Sequence, residues 1–177
     1  MSRKVILYIA CSVDGYIAGP GDDLGFLSAV EKEGEDYGYA AFVQTVDAVI
    51  VGRKTYDKVL SMGYAFPHAD KECYIITRTP RPDMGSVRFY TGSLKALVEQ
   101  LKSKPGKNIY CDGGAEVANE LMKAGLIDEL IVSIIPTLLG DGTRLFSDGR
   151  PEQALELVSA QTFDTGLAQL HYRRAAM

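Results

Sequence analysis

The chain has 177 residues, a mass of 19.3 kDa and 46% hydrophobic residues, enough for the core of one domain, which we expect to span residues 1–177. Its formal net charge of -4 and its pI near 5.2 exclude a broad basic face for nucleic acid or anionic lipid. Any cluster of cations must therefore serve a small, local ligand such as a nucleotide.

The sequence also lacks the apolar segments of membrane and secreted proteins. No apolar run approaches the roughly 20 residues of a membrane span. The N-terminal segment "MSRKVILYIACSVDGY" has too short an apolar core and the wrong flanks for a signal peptide. We therefore expect a cytoplasmic protein with no membrane partner.

The cysteines and histidines predict no metal site. Cys11, Cys73 and Cys111 lie in or at the end of apolar runs without CxxC spacing, which favours buried small side chains. His68 and His171 are far apart and have no partner at the spacing of metal ligands. Metal chemistry is therefore not expected.

Strand and helix patterns alternate through the first half of the chain. Apolar, β-branched runs predict strands over residues 4–10, 48–51 and 73–77. Helical patterns lie between them, over residues 35–45 and 53–60. This alternation is typical of an α/β protein with a mostly parallel sheet.

The second half repeats the alternation and then changes character. Leu94, Leu97, Val98 and Leu101 have helical spacing, and Ser93 is placed to cap that helix. The run "KNIYC" predicts a strand, "AEVANELMKAG" a helix that ends at Gly125, and "IDELIVSIIPTLL" a long strand up to Gly140. The last two runs, "ALELVSAQTF" and "LAQLHYRR", flank the turn "DTG" and predict a terminal antiparallel hairpin.

The stretch "VIVGRKTYD" places three groups suited to an anion directly after a buried strand. A strand that ends at glycine and turns into a helix gathers free backbone amides. Arg53 and Lys54 add charge there, and Thr55 adds a hydroxyl. The alternative is that Arg53 and Lys54 are solvated and Thr55 is an ordinary helix-start residue.

Four glycine-rich stretches are candidates for contact with a nucleotide: "SVDGYIAGPGDDLG", "GRKT", "DGGAEV" and "GDGTRLF". None is a Walker A loop, and none completes GxGxxG at the start of a helix near the first strand. Three of them follow predicted strands, at the sheet edge where ligands bind in open α/β folds. Their shared position is more informative than any one motif.

Two further features support a phosphate site at this edge. Gly113 and Gly114 lie between a strand and a helix, where the lack of a Cβ lets backbone approach a ligand. Thr77 and Arg78 follow another strand, where a guanidinium suits a two-pronged bond to a phosphate. A tight turn without a ligand and a surface charge are the alternatives.

In this context the chain resembles the dihydrofolate reductase-like family. Within it, the chain is similar to the branch that includes the reductase domain of bifunctional riboflavin-biosynthesis proteins. The resemblance rests on "IACSVDGYIAG", "VDAVIVGRKTYD", "YIITR", "GGAEVANELMKAGLIDEL" and "PTLLGDGTRLF", in this order along nearly the whole chain. It implies a three-layer α/β fold with a mixed, mostly parallel central sheet, helices on both faces and a C-terminal antiparallel hairpin.

The resemblance also implies NADPH as the cofactor and assigns its contacts. The adenosine phosphate and the pyrophosphate would lie on Gly52, Arg53, Lys54 and Thr55, and the 2′-phosphate would lie between Thr77 and Arg78. A second phosphate-contacting turn would comprise Gly113, Gly114, Ala115, Glu116 and Val117, and the backbones of Ala10 and Ile17 would pair with the nicotinamide carboxamide. An arginine at the adenosine end also favours NADPH over NADH, because NAD sites tend to present a carboxylate there.

Hydride transfer requires a proton, and two carboxylates are candidates for its source. Asp36 has the offset from the second strand that the substrate-facing carboxylate has in folate reductases, but it is also suited to stabilise a helix start. Asp14 lies in a loop that borders the substrate pocket in this branch, although Asp-Gly is first of all a turn signal. A buried carboxyl with a raised pKa would be the donor.

The leading hypothesis is an NADPH-dependent oxidoreductase acting on a small pterin- or pyrimidine-like heterocycle. Folate itself is disfavoured, because Lys71 stands where folate reductases place an arginine for the glutamate tail. The alternatives are a non-catalytic nucleotide-binding homodimer that retains the dinucleotide cradle, and a flavin or phosphosugar binder. The resemblance also implies a homodimer.

Overall fold

The computed structural model describes residues 2–176. Its strands are β1 (Val5–Ser12), β2 (Tyr16–Ala18), β3 (Val46–Gly52), β4 (Glu72–Ile76), β5 (Val87–Tyr90), β6 (Asn108–Gly113), β7 (Glu129–Ile135), β8 (Thr143–Arg144), β9 (Leu155–Thr162) and β10 (Ala168–Arg174). Its helices are α1 (Tyr39–Val43), α2 (Arg53–Ser61), α3 (Leu94–Lys102) and α4 (Ala115–Lys123). Short 3-10 turns cover Pro20–Asp22 and Gly25–Val30.

The central sheet has the strand order β5-β4-β3-β6-β1-β7-β10-β9. The pairs from β5 to β7 are parallel, whereas β10 runs antiparallel to both β7 and β9. The mixed, mostly parallel sheet and the C-terminal hairpin confirm the predicted fold class. Because β3, β6 and β1 lie side by side and point the same way, their carboxyl ends meet at the centre of one edge.

Two apolar layers cover the parallel part of the sheet, one on each face. On one face, α3 and α4 pack through Leu97, Leu101 and Leu121 against the strands. On the other face, Phe42 of α1 and Tyr56 of α2 pack against the alternate residues of the same strands. Alternate residues of a strand point to opposite faces, so the central strands are buried on both sides and their sequences are continuously apolar.

The first predicted helix is much shorter than expected. The sequence pattern predicts a helix over residues 35–45, but the structure has one only over Tyr39–Val43. Gly34, Tyr37 and Gly38 have positive φ angles of 78°, 56° and 84°, so the chain turns before the helix begins. The prediction was wrong for residues 35–38 because these turns interrupt the helical spacing.

The long strand after α4 also ends earlier than predicted. It was expected to reach Gly140, but β7 stops at Ile135, directly before Pro136. Proline has no N–H to donate to a strand ladder, so the pairing ends there. The short strands β2, β5 and β8 carry too few residues for a periodic signal, and the sequence pattern did not predict them.

The cysteines have the environment that their sequence context predicts. Cys11, Cys73 and Cys111 are free and buried. Burial raises the pKa of Cys73 and of Cys111 to about 12, so both remain thiols near neutral pH. No helix within residues 2–176 is long and apolar enough to cross a membrane.

Candidate active site

A cleft of about 1250 Å³ opens at the carboxyl ends of β1, β3, β4 and β6. Every residue that the sequence analysis assigned to the cofactor lines this cleft except Gly113, which immediately precedes a lining residue. Those that line it are Ala10, Ile17, Gly52, Arg53, Lys54, Thr55, Thr77, Arg78, Gly114, Ala115, Glu116 and Val117. Residues from five separate segments of the chain are therefore brought to one site.

The starts of α2 and α4 face each other across this cleft. Their N-cap residues are Gly52 and Gly114, and within residues 2–176 no side chain caps either helix. A Cβ on Gly52 would lie 3.3 Å from Cγ2 of Val117 and 3.4 Å from the backbone nitrogen of Gly114. A Cβ on Gly114 would lie 3.1 Å from Oγ1 of Thr55. Two sets of first-turn amides thus converge on a space that only glycine leaves open.

Arginine side chains line the cleft beside the start of α2. Arg81 forms a two-pronged ion pair with Asp57 at 2.8 and 3.0 Å, and Arg53 donates to the same carboxylate at 3.1 Å. The hydrogen bond from Arg81 lowers the pKa of Asp57. Asp57 therefore holds two guanidinium groups in the lining of the cleft. The sequence analysis missed Arg81, although it lies three residues after Arg78 in "TRTPR".

The outer end of the cleft is formed by the residues after β4. Arg78 is almost fully exposed and pairs with Glu116 of α4 at 3.2 Å. Thr77 is buried, and its hydroxyl is bonded to the backbone of Thr79 in a local turn. Because this ion pair is exposed on both sides, it holds the guanidinium of Arg78 only weakly.

Asp36 does not have the properties expected of a proton donor. It is exposed, does not line the cleft, and accepts hydrogen bonds from the amides of Ala40 at 3.0 Å and Gly38 at 2.9 Å. These bonds lower its pKa, whereas a donor near neutral pH needs a raised one. Asp36 caps the turn that leads into α1.

Asp14 is likewise engaged in backbone structure. Its carboxylate accepts a hydrogen bond from the Ser12 hydroxyl at 2.6 Å and others from the amides of Leu139 at 3.0 Å and Gly140 at 2.7 Å. These bonds, the one from Ser12 above all, lower its pKa to about 2. Asp14 fastens the loop after β7 to the end of β1 and does not line the cleft.

The inner end of the cleft carries polar groups that the sequence analysis did not identify. Tyr8, Tyr39, Tyr110 and Asp112 line it. Burial is the main reason that the pKa values of Tyr8 and Tyr110 are raised. It also raises the pKa of Tyr39 to about 12. The only sequence signal was a charged residue, Asp112, directly after the buried residues Ile109, Tyr110 and Cys111 of β6.

A hydrogen-bond network behind Tyr8 extends this polar wall. The amide nitrogen of Gln169 donates to the hydroxyl of Tyr8 at 3.2 Å and to that of Ser133 at 3.1 Å. It also donates to the carbonyl of Tyr37 at 3.1 Å. The hydroxyl of Tyr8 itself donates to the same carbonyl at 3.2 Å. The C-terminal hairpin therefore helps to fix the inner end of the cleft.

Comparisons with known proteins agree with this architecture. The model of the RibD C-terminal domain matches residues 3–169. The uncharacterized protein YwjB of Bacillus subtilis (strain 168) is 43% identical over 176 residues, covering 99% of this chain and 100% of its own length. A crystal structure from Shewanella sp. PV-4, of a protein provisionally assigned to riboflavin biosynthesis, has a TM-score of 0.88 at 30% identity and covers 99% and 100% of the two chains.

A more distant structure shares the fold. Dihydrofolate reductase from Enterococcus faecalis, solved in complex with NADP(H) and RAB-propyl, has a TM-score of 0.68 at 17% identity. The match covers 99% of this chain and 100% of that enzyme. The same arrangement of sheet and helices is thus found in a reductase whose structure contains a dinucleotide.

Proposed function

The chain belongs to the RibD C-terminal domain family, and on this premise we propose that it is an NADPH-dependent reductase of a small pterin- or pyrimidine-like heterocycle. The proposal assigns the dinucleotide to the cleft at the starts of α2 and α4. It assigns the heterocycle to the inner end, among the tyrosines. It also treats residues 1–177 as one reductase domain and places the protein in the cytoplasm.

The observation that carries the proposal is the convergence of two uncapped helix starts with several cations. Gly52 and Gly114 are within contact of each other's helices. Arg53, Lys54 and Arg81 line the same cleft. Backbone amides at a helix start and nearby guanidinium groups both stabilise phosphate, and a dinucleotide carries several phosphate charges in a row. These cations lie beside the two helix starts although the chain as a whole carries a net negative charge.

The residues present fit NADPH at each part of the cleft. The space between the two helix starts would be filled by any Cβ, which suits close approach of a pyrophosphate to backbone. Arg78 at the outer end has the charge to receive the 2′-phosphate that distinguishes NADPH from NADH. Ala10, at the end of β1, and Ile17, in β2, would present backbone groups to the carboxamide.

Bound NADPH would supply a hydride, and the chain's own groups would orient the acceptor. Tyr8 and Tyr39 keep their phenolic protons near neutral pH, since their raised pKa values disfavour ionisation. The proton of Tyr8 is directed to the carbonyl of Tyr37, whereas Tyr39 would be a hydrogen-bond donor for a ring carbonyl or ring nitrogen. The half-buried tyrosine rings also limit the water that reaches the inner end of the cleft.

A titration of the purified protein with NADPH, NADH and FMN tests the proposal. Binding of NADPH and NADH is followed by the fluorescence of their reduced nicotinamide. Binding of FMN is followed by quenching of its flavin emission. We expect clear preference for NADPH. Failure to bind any of the three contradicts the proposal, and preference for FMN favours a flavin binder instead.

The positions of Asp36 and Asp14 favour a second candidate function. Neither is the buried acid that the reductase hypothesis required, and both have lowered pKa values. A nucleotide-binding homodimer that retains the cradle without the chemistry fits this observation. Binding of NADPH without its consumption in the presence of any of a panel of pterins and pyrimidines would support that candidate.

We also propose that the protein is a homodimer. Strand β9 lies at the edge of the sheet and is exposed along its length, with Leu157 and Val158 at 58% and 49% exposure. An edge strand with exposed apolar side chains is suited to association with a second copy. Light scattering coupled to size-exclusion chromatography tests this. A monomer at all concentrations contradicts it.

A further inference from the structure

We propose that Tyr39 donates the proton that accompanies hydride transfer, through its hydroxyl at the inner end of the cleft. The inference rests on the proposed function, because it assumes that a reducible C=N or C=O group occupies this end. It goes beyond that function by assigning the proton to a named side chain. The carboxylates of Asp36 and Asp14 are engaged by backbone amides instead.

Three tyrosine hydroxyls line the inner end of the cleft, and the protons of two of them are already directed elsewhere. The hydroxyl of Tyr8 donates to the carbonyl of Tyr37 at 3.2 Å. That of Tyr110 donates to Oδ1 of Asp112 at 2.7 Å. The third hydroxyl, that of Tyr39, has no backbone or carboxylate acceptor within residues 2–176, and its hydrogen-bond neighbour there is Tyr110. The proton of Tyr39 is therefore the most available of the three.

The contact with Tyr110 leaves the Tyr39 proton available to a ligand. Because Tyr110 uses its own proton for Asp112, its oxygen is only an acceptor for Tyr39 in the free protein. A neutral phenol oxygen is a weak acceptor, so a ring nitrogen or carbonyl oxygen in the cleft can take its place. The hydroxyl of Tyr110 can then turn to the ionised Tyr39 and stabilise it.

The acid strength of Tyr39 suits this role. Burial raises its pKa to about 12, and the hydrogen bond from Tyr110 opposes part of this rise. The hydroxyl is therefore fully protonated near neutral pH. Hydride addition to C=N or C=O places negative charge on nitrogen or oxygen, and the resulting anion is a much stronger base than a phenolate. Proton transfer from Tyr39 to that atom is therefore favourable.

The position of Tyr39 brings its hydroxyl near the proposed nicotinamide site. Its ring lies 5.7 Å from that of Tyr8 and 6.4 Å from that of Tyr110, edge to face in both pairs. Tyr8 precedes Ala10, the proposed partner of the carboxamide, by two residues in β1. The two side chains therefore point to the same face of the sheet, about 7 Å apart. A flat ring stacked on a nicotinamide at Ala10 is within reach of Tyr39.

The turn before α1 holds Tyr39 in place. Tyr39 is the first residue of this helix, and its amide donates to the carbonyl of Asp36 at 3.0 Å. The carboxylate of Asp36 accepts from the amides of Gly38 and Ala40, on either side of Tyr39. Phe42 of the same helix stacks on Tyr8 at 4.5 Å. These contacts give Tyr39 the fixed position that efficient proton transfer requires.

The proposed step reduces one double bond. The acceptor carbon gains the hydride, with its two electrons, from NADPH, and the acceptor nitrogen or oxygen gains the proton of Tyr39. The C=N or C=O bond becomes a single bond with one new C–H and one new N–H or O–H. NADP⁺ and the phenolate of Tyr39 remain, and the phenolate recovers a proton from water when the product leaves the open cleft.

The test uses Tyr39→Phe, which removes the hydroxyl and keeps the ring. The probe is 6,7-dimethyl-7,8-dihydropterin, whose C=N bond is reducible by hydride transfer. NADPH consumption is followed in single turnovers from about pH 6 to about pH 9. NADPH affinity is measured by fluorescence, and affinity of the probe for the NADP⁺-loaded protein by calorimetry. Tyr64→Phe, an exposed tyrosine outside the cleft, is the matched control.

We expect the wild-type protein and Tyr64→Phe to react at a rate that is nearly constant over this pH range, because Tyr39 stays protonated. Tyr39→Phe should be slower by about a hundredfold at neutral pH, the usual worth of a general acid. Its rate should also fall by about tenfold for each further pH unit, since the proton must then come from solvent. NADPH affinity should be unchanged, and probe affinity should fall by less than about tenfold.

The role of Tyr39 and the reductase proposal fail in different ways. If Tyr39→Phe has the wild-type rate and pH profile, the role of Tyr39 is wrong and the reductase proposal stands. The same conclusion follows if Tyr39→Phe loses rate equally at every pH, which indicates a structural defect that thermal unfolding would show. If the wild-type protein binds NADPH but reduces neither this probe nor any of a panel of pterins and pyrimidines, both proposals fail. If it reduces another member of the panel, that compound serves as the probe.

Discussion

Helix α3 and the pair α2 and α4 begin in different ways, although all three starts border the cleft. The start of α3 is closed by its own side chain, because Oγ of Ser93 accepts a hydrogen bond from the amide of Ala96 at 3.3 Å. The starts of α2 and α4 have glycine at the same position and no side-chain cap within residues 2–176. Amides that the chain satisfies itself stabilise the fold, and amides that it leaves free are available to a ligand.

The uncapped starts of α2 and α4 lie together because the strands that precede these helices are neighbours in the sheet. Helices α2 and α4 follow β3 and β6, which are neighbours at the centre of the sheet, whereas α3 follows β5 at its edge. Two positive helix ends therefore meet at one place. The closed start of α3 provides a neutral wall, which suits the uncharged part of a nucleotide.

Adding a side chain at the uncapped start of α4 should have the largest effect on NADPH binding. In Gly114→Ala the new methyl group lies 3.1 Å from Oγ1 of Thr55. It occupies the space between the helices, so we expect NADPH binding to weaken by about 2 kcal/mol, or about thirtyfold in affinity. Fluorescence titration measures this loss. Unchanged NADPH affinity in a variant that still folds would show that this space is not the phosphate site.

Removing the exposed cation at the outer end should have a more selective effect. We expect Arg78→Ala to lose about tenfold in NADPH affinity, or about 1.4 kcal/mol, with little change for NADH. The reason is that only NADPH carries a 2′-phosphate for the guanidinium to bind. Arg150→Ala, another exposed arginine, is the control. Equal losses for the two cofactors would contradict the assignment.

Removing the side-chain cap of α3 should lower the stability of the fold and leave NADPH binding unchanged. Ser93→Ala removes the acceptor for the amide of Ala96. We expect the free energy of unfolding to fall by about 1 kcal/mol, the usual worth of an N-cap serine. Urea unfolding measures this change, and the NADPH titration should be unaffected. A large loss of NADPH affinity would mean that α3 also serves the cofactor.

Replacing Asp14, in the loop after β1, should have the smallest effect, a change of stability that is measurable only at acidic pH. The pKa of Asp14 is lowered to about 2 from its ordinary value of 3.8, so its stabilising effect is complete above that ordinary value. It is lost as the pH falls from about 4 to about 2, when the folded state must also take up the proton. Asp14→Asn should remove this part of the acid sensitivity. Urea midpoints at about pH 7 and about pH 3 measure the difference.

The capped start of α3 and the uncapped starts of α2 and α4 could be predicted in part from the sequence. Helical spacing from Leu94 to Leu101 and the cap at Ser93 predicted α3, and the glycines of "GRKT" and "DGGAEV" marked the open starts. These signals are local, because capping and glycine conformations depend on a few consecutive residues. For the same reason the turns at Gly34 and Gly38 were overlooked when the spacing of residues 35–45 was interpreted as one helix.

The sequence by itself determined the alternation of strands and helices, the terminal hairpin and the glycine turns that follow the central strands. Only the tertiary structure decided that Asp36 caps a turn and that Asp112 faces the cleft with Tyr110 and His68 behind it. His68 is 44 residues from Asp112 along the chain. No periodic pattern connects such distant residues, because their contact is created by the packing of separate segments against one sheet.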